Sequence, residues 1–300
     1  MDSNKRAAVD RRDFLKLTGV GLMGASSARL LLQPSEQAFA SALNENDVAI
    51  LYDASKCVGC LVCEEACKEY NNLPVETAPP SELSAIKWNL IKQRKGVDEA
   101  DWPFFSYQCM HCTDAACVTV CPTGALYKDR EGFVAFDQDK CNGCGYCTQF
   151  CPFGVPHLKD VNLITGQAQA AKCTFCQARI QAGIGGPSCA EACPTGALTW
   201  GRRGVLLEEA KARVANLIAE GYGGARLYGE SEAGGLHRLS ILLDEPSAYG
   251  LPADPQGPIT FSSMWQKIIQ PLGGIAVGAT ALGLVINWLV ARTQIKVEEE

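Results

Sequence analysis

Cysteines are the residues in this chain whose number and spacing could do chemistry, with sixteen among 300 residues. They form four motifs, each beginning Cys-x-x-Cys and ending Cys-x-x-x-Cys. Cysteine can bind zinc or an iron–sulfur cluster, or it can form disulfides, so the spacing has to decide between these chemistries. In chain order the motifs are Cys57, Cys60, Cys63 and Cys67; Cys109, Cys112, Cys117 and Cys121; Cys141, Cys144, Cys147 and Cys151; Cys173, Cys176, Cys189 and Cys193.

Motifs 1 and 3 share the spacing Cys-x₂-Cys-x₂-Cys-x₃-Cys, and Pro152 follows the last cysteine of motif 3. In bacterial ferredoxins this run gives three thiolates to one [4Fe–4S] cube and the fourth to a neighbouring cube. Short spacers let three side chains converge on three corners of a cube, whereas a fourth cysteine on the following helix points away. Motifs 2 and 4 lengthen the gap before the third cysteine, yet both end in Cys-Pro-Thr-Gly-Ala-Leu, at 121–126 and 193–198. This repeat indicates a duplicated architecture.

Two other uses of the cysteines fit the spacing less well. Disulfides are compatible with an even number of cysteines, but these thiols are too crowded along the chain for independent bridges. Structural zinc uses pairs of Cys-x-x-Cys and has no use for a third cysteine two residues further on. Because all sixteen ligand positions are cysteine, the sequence predicts four [4Fe–4S] clusters, with a zinc- or disulfide-stapled structural protein as the alternative.

Short strands are predicted to lead into the cysteine loops, at 48–52, 104–108 and 132–136. An amphipathic helix is predicted from Leu207, Ala210, Val214, Leu217 and Ile218, closed by Gly221, and a strand from Leu239, Ile241 and Leu243. The polar stretch 71–101 is interpreted as an insertion loop, and Glu64 and Glu65 as surface residues. The predicted class is α+β: two ferredoxin-like units carrying the motifs, a small docking region and one C-terminal transmembrane helix.

The chain ends predict export and a membrane anchor. Arg11 and Arg12 precede an apolar stretch and an Ala-x-Ala cleavage site at 38–40, and this build resembles a bacterial twin-arginine signal. The stretch 271–290 lacks charge and is long enough to cross a bilayer, with Trp265 and Trp288 near its ends. Gly274 and Gly278 form a small-residue face that a second membrane helix could contact. The predicted location is the periplasmic side of the bacterial inner membrane.

These patterns give the following organisation of the chain. Predicted segments are a signal peptide at 1–40, an outer ferredoxin-like unit at 41–100 and 165–205, an inner unit at 101–164, a partner-docking region at 206–265, a transmembrane helix at 266–291 and a cytoplasmic tail at 292–300.

The remaining residues exclude several classes of function. The formal net charge of −6 gives no basic surface for nucleic acid. The sequence contains no P-loop, no dinucleotide-binding glycine motif and no His-Glu-x-x-His, so no catalytic residue is predicted. His111, His157 and His237 are too scattered for a catalytic or haem site. His111, between two cysteines, is expected at most to hydrogen-bond near a cluster and tune its potential.

The chain resembles the iron–sulfur (beta) subunits of membrane-bound respiratory formate dehydrogenases and, closely behind them, those of hydrogenase-2 type membrane hydrogenases. The resemblance rests on Cys-Val-Gly-Cys at 57–60, Cys-Met-His-Cys at 109–112, Cys-Gly-Tyr-Cys-x₃-Cys-Pro-Phe at 144–153 and the closing helix with Pro271 at its start. It implies four cubes, held by Cys57, Cys60, Cys63 and Cys193; Cys67, Cys173, Cys176 and Cys189; Cys109, Cys112, Cys117 and Cys151; Cys121, Cys141, Cys144 and Cys147.

The resemblance also implies a function and partners. Single electrons would pass through the clusters from a formate dehydrogenase alpha subunit, or from nickel–iron hydrogenase large and small subunits. The acceptor would be an integral membrane, quinone-reactive subunit such as cytochrome b. Flow in reverse, from quinol to a reductase, is equally compatible with the motifs.

Overall fold

The computed structural model describes residues 43–76, 80–94, 104–162, 166–255 and 268–294. They fall into two units, a cysteine-bearing unit within 39–262 and a C-terminal helix, which are treated separately. The predicted signal peptide, Trp265 and the end of the C-terminal tail lie outside the described residues.

The cysteine-bearing unit combines short strands with short helices. Its strands are β1 Val48–Asp53, β2 Asn89–Gln93, β3 Phe104–Gln108, β4 Leu126–Lys128, β5 Val134–Phe136, β6 His157–Asn162, β7 Gln167–Ala171, β8 Leu198–Arg202, β9 Arg226–Tyr228 and β10 Arg238–Leu242. Its helices are α1 Val62–Asn71, α2 Ala116–Thr119, α3 Tyr146–Phe150, α4 Gln177–Ala182, α5 Ser188–Glu191 and α6 Arg203–Ala219. This mixture of strands and helices confirms the predicted α+β class.

A four-stranded sheet with the order β8-β1-β10-β9 forms the base of this unit. Strand β1 runs parallel to β10 and antiparallel to β8, so strands far apart in sequence lie side by side. Three antiparallel hairpins, β2-β3, β4-β5 and β6-β7, complete the strand pairing in the described residues. The segment after motif 4 therefore supplies three of the four strands, β8, β9 and β10, to the sheet that begins the unit.

Both faces of the four-stranded sheet are buried, and strand alternation divides their roles. Ala49 and Leu51 of β1 and Leu239 and Ile241 of β10 pack against α6. Ile50 and Tyr52 face the opposite way and belong to a core that includes Phe105 and several cysteines. One face of the sheet thus holds the helix, and the other supports the cysteine loops.

The sequence predicted most of these elements, with three differences. Strand β1 and strand β3 are confirmed, and β5 begins at Val134, two residues late, because Gly132 adopts a turn with φ of +89°. The amphipathic helix is confirmed as α6, but Ile218 is 49% exposed and lies off its buried face. The predicted loop at 71–101 is wrong at 89–93, because pairing with β3 makes this segment a strand.

The second unit contains one long helix, α7, at Gln270–Gln294. Its segment Pro271–Ala291 has a mean hydropathy of 1.9, and by length and composition it could cross a membrane. Leu272, Leu284 and Trp288 are all exposed along it. An exposed apolar helix of this length is compatible with the single-pass anchor that the sequence predicts.

Candidate iron–sulfur site

All sixteen cysteines lie in the described residues, and all are free thiols. They gather into four sets, named here quartets A to D, and each set mixes cysteines from two motifs. Quartet A is Cys57, Cys60, Cys63 and Cys193; quartet B is Cys67, Cys173, Cys176 and Cys189; quartet C is Cys109, Cys112, Cys117 and Cys151; quartet D is Cys121, Cys141, Cys144 and Cys147.

Quartets A and D each line a cavity of their own. The four cysteines of quartet A surround one cavity together with Tyr52, Ile91 and Leu198. The four cysteines of quartet D surround another, walled by Leu126, Phe136 and Leu158 among others. Four soft donors around an apolar cavity fit a thiolate-ligated cluster. These two sets are the same as those that the resemblance implies.

Quartets B and C are recognised by the electrostatic influence of their thiols on one another. Burial is the main cause that raises the pKa of Cys67, and Cys173 and Cys176 raise it further. Burial likewise raises the pKa of Cys117, with Cys109 and Cys151 adding to the shift. Thiols affect one another in this way only when they are close. The structure therefore brings together all four predicted sets.

The order of the quartets follows from the thiols that act across their boundaries. Cys63 of quartet A raises the pKa of Cys189 in quartet B. Cys109 of quartet C raises the pKa of Cys173 in quartet B, and Cys147 of quartet D raises that of Cys117 in quartet C. The four sets thus form a linear series, A-B-C-D.

The two ends of this series are more exposed than its middle. Cys60 of quartet A and Cys144 of quartet D are exposed, whereas all four cysteines of quartet B are buried. Exposed apolar side chains surround both ends: Val58, Leu61 and Val62 beside Cys60, and Tyr146 and Leu158 beside Cys144. The series therefore reaches the surface at quartets A and D.

Helices explain why the fourth cysteine of a motif joins a different quartet. Cys63 and Cys67 lie one turn apart on α1, and this turn brings Cys67 close to Cys173 and Cys176 of motif 4. In motif 3, Cys147 lies on α3 and Cys151 is the residue that ends it. The fourth thiol of these motifs therefore lies with cysteines of another quartet. That it binds a second cluster stays a prediction.

Backbone amides donate hydrogen bonds to the cysteine sulfurs in several quartets. The N–H of Ala170 lies 3.3 Å from Sγ of Cys141, and that of Leu198 lies 3.4 Å from Sγ of Cys193. The two hexapeptide repeats also match in detail, because the hydroxyls of Thr123 and Thr195 each lie 3.7 Å from the sulfur two residues earlier. Donors at sulfur are among the features that set cluster potentials.

For several of the thiols, burial favours the protonated form until a metal displaces the proton. It raises the pKa of Cys63 and Cys173 to about 12 and that of Cys147 to about 11. Cys193 differs, because hydrogen bonds from the Leu198 and Thr195 amides and the Thr195 hydroxyl outweigh its burial and lower its pKa. Cluster binding at these sites must therefore release protons.

The spacing of the thiols favours a cluster over a single ion. In the ranges that the structure describes, no three Cys, His, Asp or Glu side chains converge closely enough to hold one metal ion. Cavities lined by four thiols instead suit a cube with iron at several corners. The donor set and cavity thus fit [4Fe–4S] better than structural zinc.

Sequence reasoning missed several buried charged residues beside the quartets. Glu64, predicted to be exposed, is buried and pairs with Lys87, whereas Glu65 is exposed as expected. Lys172 and Arg238 are also buried near the cysteines. The sequence signal for Arg238 was its place directly before the predicted strand that begins at Leu239. Lys87, 23 residues from Glu64, gave no such signal.

The histidines occupy structural positions. His111 is buried against Phe133 and Phe175, and its Nδ1 accepts the N–H of Val134 at 3.2 Å. Burial lowers its pKa well below the ordinary range, so the ring is neutral. His237 contacts the carbonyl oxygen of His111 and the carboxylate of Asp47. A role for His111 in tuning a cluster stays a prediction.

Comparisons with known proteins agree with this geometry. Residues 53–125 and 100–203 each match a family described as 4Fe-4S dicluster domain. The chain is 36% identical over 257 residues to the nitrate-inducible formate dehydrogenase iron-sulfur subunit of Escherichia coli K12, covering 81% of this chain and 85% of that protein. It is 33% identical over 268 residues to the formate dehydrogenase iron-sulfur subunit of Haemophilus influenzae, covering 85% and 84%.

A third relative, the formate dehydrogenase-O iron-sulfur subunit of Escherichia coli K12, is 33% identical over 258 residues, covering 82% of this chain and 84% of that protein. Two dicluster segments, sixteen cysteines and these relatives support four [4Fe–4S] clusters. Relatives of this identity, matched over most of both chains, show that the protein belongs to the family of formate dehydrogenase iron–sulfur subunits.

Proposed function

We propose that this chain relays single electrons through four [4Fe–4S] clusters between a formate dehydrogenase catalytic subunit and a quinone-linked membrane subunit. The observation that carries the proposal is the linear series of four cysteine quartets with exposed cysteines at both ends. A series of sites inside one chain suits a relay, whereas a structural staple needs no continuity from one surface to another.

The proposed ligands are the sixteen cysteines, four in each of quartets A to D. Clusters bound there supply one-electron chemistry, and their potentials depend on hydrogen bonds to sulfur, net charge and exposure. The chain's own contribution is to hold the thiols, donate amide hydrogen bonds to them and keep water from quartet B, whose four cysteines are buried. No group in the described residues needs to bind a substrate for this role.

The two exposed ends would be the places where electrons enter and leave. Val58, Leu61 and Val62 surround Cys60, and Tyr146 and Leu158 surround Cys144. Apolar side chains around an exposed redox centre are suited to contact with a partner protein, because burying them on docking is favourable. Quartets A and D are therefore proposed to face different partner subunits.

The relatives' names supply the proposed identity of the catalytic partner, since those proteins are subunits of formate dehydrogenases. Export by the twin-arginine segment at 1–40, anchoring by α7 and transfer to a cytochrome b-like subunit on the periplasmic side of the membrane complete the proposal. An apolar helix of the required length supports the anchor.

The test uses the complex purified without oxygen from its own membranes. Native protein should contain iron and sulfide, and formate should produce electron paramagnetic resonance signals of reduced clusters. Cys60→Ser and Cys144→Ser should each abolish quinone reduction by formate while formate oxidation with a soluble dye continues. Zinc in place of iron, or quinone reduction at the native rate in both variants, would refute the relay.

The same complex identifies the catalytic partner. Reduction of the clusters by formate supports a formate dehydrogenase. Reduction by hydrogen, with none by formate, would contradict that assignment and place the chain in a hydrogenase.

A further inference from the structure

One side chain near the cysteines is a full positive charge with no carboxylate partner. Arg238 lies on β10 and is 0% exposed, the largest fully buried side chain in the described residues. None of the ion pairs in the described part of the chain includes it. Burying an ion without a counter-charge costs several kcal/mol, so its position needs an explanation.

Strand geometry places Arg238 on the cysteine side of the sheet. It pairs with Ile50 of β1, whose side chain belongs to the core that contains Cys57, Cys63 and Cys189. Its neighbours Leu239 and Ile241 point the other way and pack with α6. The guanidinium therefore enters the core between the sheet and quartets A and B. These two are called the outer quartets because they belong to the predicted outer unit, and C and D are called the inner quartets.

The contacts of the guanidinium leave part of it unpaired. Nη2 donates to the carbonyl oxygen of Ser106 at 2.7 Å, and the group lies over the rings of Tyr52 and Phe105 at 5.3 and 5.5 Å. Nε and Nη1 have no hydrogen-bond partner among the described residues. Aromatic faces and one carbonyl offset only part of the cost of a buried charge.

The groups that favour its charged form identify the missing counter-charge. Burial lowers the pKa of Arg238. The phenol of Tyr52 and the thiols of Cys189, Cys173 and Cys63 raise it, but by less than burial lowers it. Cys189 and Cys173 belong to quartet B, and Cys63 belongs to quartet A. Arg238 thus lies beside the two outer quartets.

A second buried donor lies at the same place. Gln108 is 2% exposed, its Oε1 accepts from Sγ of Cys189 at 3.9 Å, and its Nε2 has no partner in the described residues. Unpaired donors are rare in protein interiors, and each one points to a partner that protein atoms do not supply. Arg238 and Gln108 together give the wall beside Cys189 an excess of donors.

We propose that Arg238 is the buried counter-charge of the clusters in quartets A and B, and that it raises their reduction potentials. This rests on the proposed function, because it requires clusters in those quartets. Four thiolates leave a bound cluster with net negative charge, and reduction adds one more negative charge. A fixed cation nearby stabilises the reduced form more than the oxidised form, so the outer clusters accept an electron more readily.

The test is a redox titration of the intact complex, followed by electron paramagnetic resonance. Arg238→Met removes the charge at similar volume, and Arg238→Gln removes it while keeping a donor for Ser106. Each should make reduction of a cluster in quartet A or B at least tenfold less favourable, about 59 mV for one electron. The clusters of quartets C and D should keep their native potentials, and so serve as an internal reference.

Two further variants serve as controls. Arg202→Gln removes an exposed arginine of the same sheet and should leave all four potentials unchanged, because water screens its charge. Arg238→Lys keeps the charge and is the variant most able to fold. It should change the equilibrium constant for reducing the clusters of quartets A and B less than threefold. Cys60→Ser alters the cluster of quartet A and Cys144→Ser that of quartet D. These two variants therefore assign the signals to quartets A and B or to quartets C and D.

The outcomes separate this inference from the proposed function. Absence of cluster signals in the native complex would refute the relay itself. Native signals whose potentials do not move in Arg238→Met or Arg238→Gln, even with reduced heat stability, would show a purely structural arginine and overturn the inference. A tenfold change in Arg238→Lys, with the charge intact, would overturn it as well.

Discussion

At the scale of single residues, the interior of this protein is unusual in the number of buried cations around its cysteines. Lys172 donates to the carbonyl oxygens of Val134 and Cys173, both at 2.9 Å, and Lys128 donates to that of Cys112 at 2.9 Å. These lysines satisfy backbone carbonyls in the same loops that present the thiols. Charge and loop geometry are therefore linked: the cations that fix the cysteine loops also place positive charge beside them.

The buried pair of Glu64 and Lys87 is expected to stabilise the fold through its environment. Oε2 of Glu64 pairs with Nζ of Lys87, and its Oε1 accepts the N–H of Ile91 at 2.5 Å. Glu64→Ala should lower the free energy of unfolding by about 3–5 kcal/mol, because it leaves a buried lysine unpaired. Heat unfolding of the cluster-loaded protein, with iron content checked, measures the loss.

Two variants make this prediction specific. Glu65→Ala, one residue along α1 and exposed, should change stability by less than about 0.5 kcal/mol. Glu64→Gln combined with Lys87→Met should recover part of the loss, because neither partner then leaves a buried charge. Equal losses at Glu64 and Glu65 would contradict the role given to the pair.

The contact between His237 and Asp47 predicts a pH dependence of stability. Burial lowers the pKa of His237 below its ordinary 6.5, although the hydrogen bond to Asp47 opposes the shift. Burial alone would raise the pKa of Asp47, but hydrogen bonds from His237 and the Asn44 amide lower it below 3.8. A group whose pKa is lower in the folded protein takes up its proton first in the unfolded chain, and this reduces stability. The contribution of His237 is therefore lost below pH 6.5 and that of Asp47 below pH 3.8.

For His237 the contribution is complete above pH 6.5 and declines as the pH falls below that value. His237→Gln should therefore have a melting temperature that changes less than that of the native protein between pH 6.5 and pH 5. His157→Gln, which removes a half-buried histidine, is the matched control and should keep most of the native slope. An unchanged slope in His237→Gln would show that another group titrates in this window.

At the scale of elements, the helices that carry the third cysteine of motifs 1 and 3 begin in the same way. Leu61 before α1 has φ of 62°, and Gly145 before α3 has φ of 76°, so both residues are left-handed. This conformation turns the chain from the Cys-x-x-Cys loop into the helix. Motif 1 achieves it with a leucine, for which the conformation costs about 1–2 kcal/mol.

Opposite effects on stability are expected at these two equivalent positions. Gly145→Ala should destabilise the protein by about 1–2 kcal/mol through backbone strain alone, since a Cβ there would meet Leu158 at an ordinary 3.4 Å. Leu61→Gly should stabilise it by up to about 1 kcal/mol, because the relief of strain exceeds the entropy lost by glycine. Melting temperatures of both variants, with intact clusters, decide the matter, and effects of the same sign would contradict this account.

The elements also show what sequence could predict and why. Strands β1 and β3 were predictable because their apolar and aromatic residues are contiguous and packing keeps them in place. The ligand spacing of each motif is local, so it indicated clusters directly, whereas the mixed quartets needed the family resemblance. Strand β2 and the burial of Glu64 could not be predicted, because their partners, β3 and Lys87, lie in other parts of the chain.

At the scale of the whole molecule, the two units divide the work that the proposed function requires. The unit within 39–262 contains every cysteine, and the long apolar helix α7 contains none. A relay needs rigid positions for its clusters, which the buried quartet B and the mostly half-buried quartet C provide, and a fixed relation to a membrane partner. In the proposed function α7 would meet the second requirement, with its glycines at 274 and 278 as a small-residue face for a neighbouring helix.

Removal of 266–300 is therefore expected to release the chain from the membrane without loss of its clusters. Expressed without partner subunits, the full chain should stay in the membrane fraction after an alkaline carbonate wash, and the shortened chain should be soluble with native iron content. Leu282→Arg, near the middle of Pro271–Ala291, should weaken insertion by about 2.5–3.5 kcal/mol, while Leu282→Ala should still insert. A shortened chain that remains in the washed membrane would show that the cysteine-bearing unit binds the bilayer by itself.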